Sequence, residues 1–203
     1  MPNWCNNNII IKGPKKKLKD IESAVREGQF CNWLVAMPKI LEDTTADGTD
    51  KPELKKATGF DDWYDWRVAN WGTKWDVDAY EGSIQSKEEL LGKDDGKAEL
   101  SFGFDSAWAP PLDAISTYLE KNDDVSMKLW YYEPGCDFGG VWEDFNDDCW
   151  QISEVQDSFL IDDPVGREFN DYFGLLESRE EWRADEENDP KSVAKWKAVQ
   201  GAE

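Results

Sequence analysis

Histidine is missing from all 203 residues, and its absence closes off several kinds of chemistry at once. Neither a Ser-His-Asp nor a Cys-His relay can be built from this chain alone, histidine-ligated zinc is excluded, and no imidazole is present to move a proton near neutral pH. Aliphatic residues are scarce as well. Leu, Ile, Val and Phe together number 41, about a fifth of the chain, a content at which high net charge favours disorder. No apolar run approaches the ~20 residues of a membrane span, and the start, Met1-Pro-Asn-Trp-Cys5, has no basic segment leading into an apolar one. A soluble, cytoplasmic protein without membrane contact is expected. Cys5, Cys31, Cys136 and Cys149 lie far apart and form no CxxC pair, so they read as buried thiols rather than a disulfide framework. There is also no GxxxxGK[ST], no GxGxxG after a strand, no Gly-x-Ser-x-Gly and no Asp-x-Asp-x-Asp-Gly loop. No enzyme, cofactor or metal site is therefore expected.

What the chain has in excess is acid and indole. It carries 44 Asp and Glu against 23 Lys and Arg, a net charge of −21, together with 12 Trp and 6 Tyr. Each large aromatic buries on the order of 150–250 Å², enough to supply the core that the aliphatics leave thin. The charge is regional. Residues 1–60 hold 10 basic and 8 acidic side chains, whereas residues 143–189 hold 17 acidic groups against Arg167, Arg179 and Arg183. Such a surface repels phosphates, which argues against direct binding of duplex DNA.

The apolar pattern predicts an alternation of elements. Asn8 to Gly13 reads as a buried strand, followed by a helix opened by Pro14 with Leu18, Ile21 and Val25 on one face. A loop-rich insertion covers about 30–70, ending in a helical turn from Asp61 to Asn70. Strands are expected at Lys74–Tyr80 and Ala98–Phe104, with a short helix at Ser86–Leu91 between them. A second long helix carries Leu112, Ile115 and Leu119, and a strand at Val125–Tyr132 precedes a hairpin turning at Asn146–Asp148. Strand, helix, strand, strand, helix, strand is the order of a ferredoxin-like α+β sandwich, here with an added hairpin. The expected domain is 1–155. An acidic, mainly helical extension, 156–203, follows, with a helix from Pro164, a link at Glu180–Asp189 and a last helix from Pro190.

Four motifs in order, Met1-Pro-Asn-Trp-Cys5, Asn70-Trp-Gly-Thr-Lys-Trp-Asp76, Phe104-Asp-Ser-Ala-Trp-Ala-Pro-Pro111 and Tyr132-Glu-Pro-Gly135 with Phe138-Gly139, resemble those of the YubB-like family. The resemblance covers roughly residues 1–145. It implies a ferredoxin-like fold, without an iron–sulfur cluster, and carriage on phages or conjugative plasmids; it brings no catalytic residue, since the family's function is unknown.

Two sets of residues are candidates for function. The first is an acidic surface for a partner protein, beginning with Glu143, Asp144, Asp147, Asp148, Glu154 and Asp157. It continues through Asp162, Asp163, Glu168, Asp171, Glu177, Glu180 and Glu181. Duplex DNA carries one charge per ~1.7 Å, so a folded chain about 40 Å across with this net charge matches a similar length of duplex. With the resemblance, the expectation is a non-enzymatic, DNA-mimic-like inhibitor in the host cytosol whose partner is a host defence or nucleic-acid-handling protein with a basic surface. The alternative is an aromatic pocket of Trp71, Lys74, Trp75 and Trp108 for a small ligand or single-stranded nucleic acid, with Lys74 as its cation; the competing reading of the same indoles is that they fill the core in place of the missing aliphatics. Glu81, Glu133 and the Asp147–Asp148 pair are the carboxylates that could be considered for a divalent ion, and none is assigned one.

Overall fold

Eleven residues, Trp4–Pro14, form strand β1, longer than the predicted Asn8–Gly13 because Trp4, Cys5, Asn6 and Asn7 extend its start. Inward-facing Cys5, Asn7, Ile9 and Ile11 are all buried; of the four cysteines expected to be buried, Cys5 and Cys31 are, whereas Cys136, in a turn, and Cys149, on the last strand of the sheet, are exposed. A buried Asn in a central strand costs stability unless its amide is bonded. Asn7 Nδ2 donates to the Cys5 carbonyl at 2.7 Å and to Ser106 Oγ at 2.9 Å, so the polar group is built into the core. The computed structural model describes residues 3–86 and 96–188, and the chain divides into two units, Met1–Ser153 and Glu154–Glu203.

In the first unit the described residues give a mixed α+β fold on one six-stranded antiparallel sheet. β1 lies between β3 (Lys97–Ala107) and β4 (Ser126–Glu133), pairing from Trp4↔Ala107 to Pro14↔Lys97 on one side and from Asn6↔Tyr132 to Lys12↔Ser126 on the other. The short β2 (Gln85–Ser86) adds to β3, and β5 (Phe138–Glu143) and β6 (Asn146–Gln151) extend the sheet beyond β4. Helices α1 (Lys15–Arg26) and α5 (Leu112–Leu119) put Leu18, Ile21, Val25, Ile115 and Leu119 into one core with Ile9, Ile11, Phe102, Phe104 and Leu129. Aromatics fill that core as the composition requires: Phe30 meets Phe102 edge-on at 5.4 Å.

The insertion is less loop-like than expected. It forms α2 (Phe30–Leu34), α3 (Pro52–Thr58) and α4 (Trp63–Trp71). The expected strand Lys74–Tyr80 is absent, leaving an isolated bridge between Ala79 and Phe104. The reason is Asp76. Its carboxylate accepts the N–H groups of Cys31, Asn32 and Val77 at 2.7–3.0 Å, tying this segment to the start of α2 instead of to a strand ladder. The expected helix at Ser86–Leu91 falls almost wholly on residues outside the described ones, and Ser86 itself ends β2. The hairpin turns at Asp144–Phe145, both with positive φ (49° and 64°), because Glu143 pairs with Asn146. Two positive φ values suit a two-residue hairpin turn, but side chains other than Gly and Asn adopt them at a cost, so the usual signal for such a turn is missing.

The second unit holds α6 (Asp157–Asp162), α7 (Pro164–Phe173) and α8 (Leu175–Asn188). Asp163 caps α7 by accepting from Val165 and Gly166 N–H groups at 2.8 and 3.2 Å, and Pro164 occupies its first turn. The expected link at Glu180–Asp189 is helical through Asn188, and the helix expected from Pro190 lies outside the described residues. No helix among the described residues is long and apolar enough to cross a membrane.

Gly140 gives a test of how tightly the hairpin closes on β4, since a Cβ there would meet the Asp148 carbonyl oxygen and, at 2.6 Å, the Tyr131 hydroxyl. Gly140→Ala is expected to cost about 2 kcal/mol, within the usual range for overpacking, measured as a lower urea midpoint at unchanged slope.

Candidate functional site

The aromatic cleft is built at the C-terminal end of β3, where three backbone constraints meet. Asp62 caps α4 through the N–H groups of Tyr64 and Asp65 at 2.9 and 3.0 Å, which sets Trp63 and Tyr64 on the first turn. Gly72 ends the helix with φ 81°, and a Cβ there would lie 3.0 Å from Asp113 Oδ2 and 3.3 Å from the Pro110 carbonyl oxygen. Thr73 then clamps the chain to β3, its hydroxyl donating to the Ala107 carbonyl at 3.0 Å and accepting the Ala107 N–H at 3.1 Å. Lys74 follows directly and is therefore delivered beside Trp108.

The Lys74 ammonium lies 4.7 Å from the Trp75 ring centroid, 5.4 Å from Trp108 and 5.6 Å from Tyr64, inside the range of favourable cation–π contact. Lys74 makes no ion pair or hydrogen bond among the described residues. Its charge is held by ring faces alone. Thr44, Thr45, Ala46, Trp63, Tyr64, Lys74 and Trp108 enclose a cleft of about 490 Å³. Thr44 is committed to the frame, its hydroxyl donating to the Leu41 carbonyl and accepting the Trp63 N–H. Trp108 is 41% exposed and has a backbone φ of 69°. For a bulky side chain that left-handed conformation is an outlier, costing on the order of 1–2 kcal/mol.

Of the four residues read from the sequence as a pocket, three come together. Trp71 does not. It is fully buried, donates from Nε1 to the Val35 carbonyl at 2.8 Å and meets Trp66 edge-on at 5.8 Å. Its place in the motif follows from α4: it is the last helical residue before Gly72, on the side that faces the core. Arg67 packs over Trp71 at 4.8 Å and over Trp63 at 5.1 Å, and burial pulls its guanidinium below the usual arginine range. Tyr64 and Trp63 take the role assigned to Trp71. The signal for them in the sequence is Asp62 as a cap, which fixes the two residues after it on the first turn.

The acidic residues separate into working and free groups. Glu143, Asp144, Asp147 and Asp148 belong to the first unit and surround the hairpin turn. Glu143 pairs with Lys128 at 3.5 Å, Asp147 accepts from the Tyr131 hydroxyl and Asp148 accepts from Trp150 Nε1 at 3.0 Å. As neighbours in a strand, Asp147 and Asp148 point to opposite faces of the sheet. In the second unit Asp157 accepts from Arg179 at 2.6 Å and Arg183 at 2.7 Å, and these hydrogen bonds, Arg183 first, hold its carboxyl below the usual aspartate range. Asp163 is the α7 cap, and Glu168 is exposed on α7. Glu154, Asp162, Asp171, Glu177, Glu180 and Glu181 are exposed and make no side-chain hydrogen bond or ion pair among the described residues. Glu133, one of the carboxylates considered for an ion, is buried and closes the β4–β5 turn by accepting the N–H groups of Gly135 and Cys136 at 2.8 and 2.6 Å.

The strain at Trp108 can be isolated by comparing two substitutions that both remove the ring. Trp108→Gly is expected to be more stable than Trp108→Ala by about 1 kcal/mol in urea denaturation, the opposite of the order these residues follow at ordinary positions.

No family model matches the chain, and no curated protein matches it. Among solved structures, it is similar to the crystal structure of a protein api92 from Yersinia pseudotuberculosis, of the family DUF1281, with 11% identity and a TM-score of 0.38 over 76% of this chain and 96% of that one. At that score the likeness carries no argument about fold or function.

Proposed function

We propose that this chain is a non-enzymatic binding module whose working site is the cleft around Lys74. The carrying observation is an ammonium group held by Trp75, Trp108 and Tyr64 with no carboxylate paired to it among the described residues. Such a group offers its charge to an incoming anion, while Trp108 and Tyr64 offer ring faces to a flat partner. The ligand class is thus an aromatic group bearing negative charge, of which a nucleotide or a short single strand is the simplest instance. The remaining cation-poor surface disfavours long nucleic acids and favours a small or locally bound ligand. We also read the first unit as ferredoxin-like and related to the YubB-like proteins. Support comes from the strand order β4-β1-β3-β2 with α1 and α5 as the two crossover helices, and from the motifs that carry the resemblance.

A second reading is an acidic inhibitor, phage- or plasmid-encoded, of a host nucleic-acid-binding or defence complex. It is favoured by the exposed, unpaired Asp162, Asp171, Glu177, Glu180 and Glu181 of the second unit, whose field steers basic partners.

Titration of intrinsic tryptophan fluorescence with guanosine monophosphate, with inorganic phosphate as the control, tests the first reading. The nucleotide is expected to quench and phosphate to have no effect, Lys74→Ala to weaken binding at least tenfold, and Glu177→Gln/Glu181→Gln to leave it unchanged. Quenching that survives Lys74→Ala and Trp108→Ala would overturn it.

A further inference from the structure

Trp75 has a second neighbour, Trp4, and the cleft that these two line has the opposite electrostatic character from that around Lys74. Trp4 and Trp75 stand 5.7 Å apart with their planes at 38°, and Trp4 is 45% exposed. With Asp76, Asp78, Tyr80, Glu81 and Asp105 they line a cleft of about 460 Å³. No Lys or Arg lines this cleft. Two of the four carboxylates are already committed: Asp76 to the N–H groups of α2, and Asp105 to Asn6 Nδ2 at 2.6 Å and to the Tyr80 hydroxyl. Asp78 and Glu81 are exposed and make no hydrogen bond or ion pair among the described residues. The cleft therefore presents two tilted indoles, the Trp4 ring exposed, and two free carboxylates; no cation is among its lining residues, and the Lys74 ammonium lies 4.7 Å from the Trp75 centroid.

We infer that this cleft receives a guanidinium group, an arginine side chain of a basic partner protein. A planar, weakly hydrated cation stacks on an indole face while its N–H groups reach carboxylates on either side, and both features are present here. A bare divalent ion fits less well, because it needs several free oxygens at short range, whereas both oxygens of Asp76 and Oδ1 of Asp105 already accept N–H or O–H groups and two of the walls are indoles. The site is independent of the Lys74 reading, sharing only Trp75 with it, and it gives a basic partner a defined anchor rather than a diffuse attraction.

The test is hexa-arginine binding to the full chain, followed by the indole N–H resonances and by fluorescence, with hexa-lysine and Mg²⁺ as comparisons. The expected result is a shift of the Trp4 indole resonance on adding hexa-arginine, and a weaker response to hexa-lysine. Asp78→Asn/Glu81→Gln is expected to weaken hexa-arginine binding at least tenfold, and Trp4→Ala similarly. Glu177→Gln/Glu181→Gln is expected to change it by less than twofold. Because Asp78, Glu81 and Trp4 are exposed, folding of these variants is checked simply by their circular dichroism. Equal binding by parent and Asp78→Asn/Glu81→Gln would overturn the proposal, as would a loss that follows Glu177→Gln/Glu181→Gln instead, or binding of Mg²⁺ without binding of the peptide.

Discussion

The pairing of β1 with a neighbour along both edges is the constraint on which the first unit depends. A strand hydrogen-bonded on each side must bury its inner face, and in β1 that face includes an asparagine. Asn7 is accommodated because the Cys5 carbonyl within the strand, and Ser106 and the Phe104 carbonyl across the register, supply acceptors. A slip of one residue would turn every inward side chain to the other face and strand the amide. The same register sets Trp4 opposite Ala107. It therefore places the start of β1 beside the end of β3, where Thr73, Lys74 and Trp108 converge. The aromatic clefts are a consequence of the strand pairing and not an addition to it.

Much of this architecture can be read from the residues, and the parts that cannot have a common physical cause. The long helices were legible at Leu18, Ile21 and Val25 and at Leu112, Ile115 and Leu119, because their apolar spacing is periodic. The strand at 98–104 was legible because Leu100, Phe102 and Phe104 alternate. The misreadings arise where a side chain takes over a backbone hydrogen bond or adopts a costly dihedral. Asp76 withdraws its segment from the sheet, and Asp144 and Phe145 make a hairpin turn without glycine. Neither is visible to periodicity or propensity. The pocket motif was partly legible: Lys74, Trp75 and Trp108 converge, while Trp71 belongs to the core and Tyr64 replaces it.

Acidity divides along the same lines. In the first unit 30 acidic residues face 17 basic ones, and in the second 14 face 6. The second unit is about twice as dense in net charge for its length. Some of its carboxylates hold structure, Asp157 through two arginines and Asp163 as a cap, and these would be lost to any partner that sought them. The free ones lie mainly on α7 and α8. Counting charge in the sequence thus overstates the surface a partner can use, since a carboxylate engaged by arginine or by backbone N–H groups has already spent much of its field locally.

The left-handed backbone at Trp108 sets stability against the ring it carries. Most positions lose stability when a tryptophan becomes glycine, so stability and function are selected together and cannot be separated by inspection. Here the backbone itself favours glycine, and the two pressures oppose each other. Stability at this position thus ranks glycine above alanine while the cleft needs the ring, so the two properties can be separated by substitution at one residue.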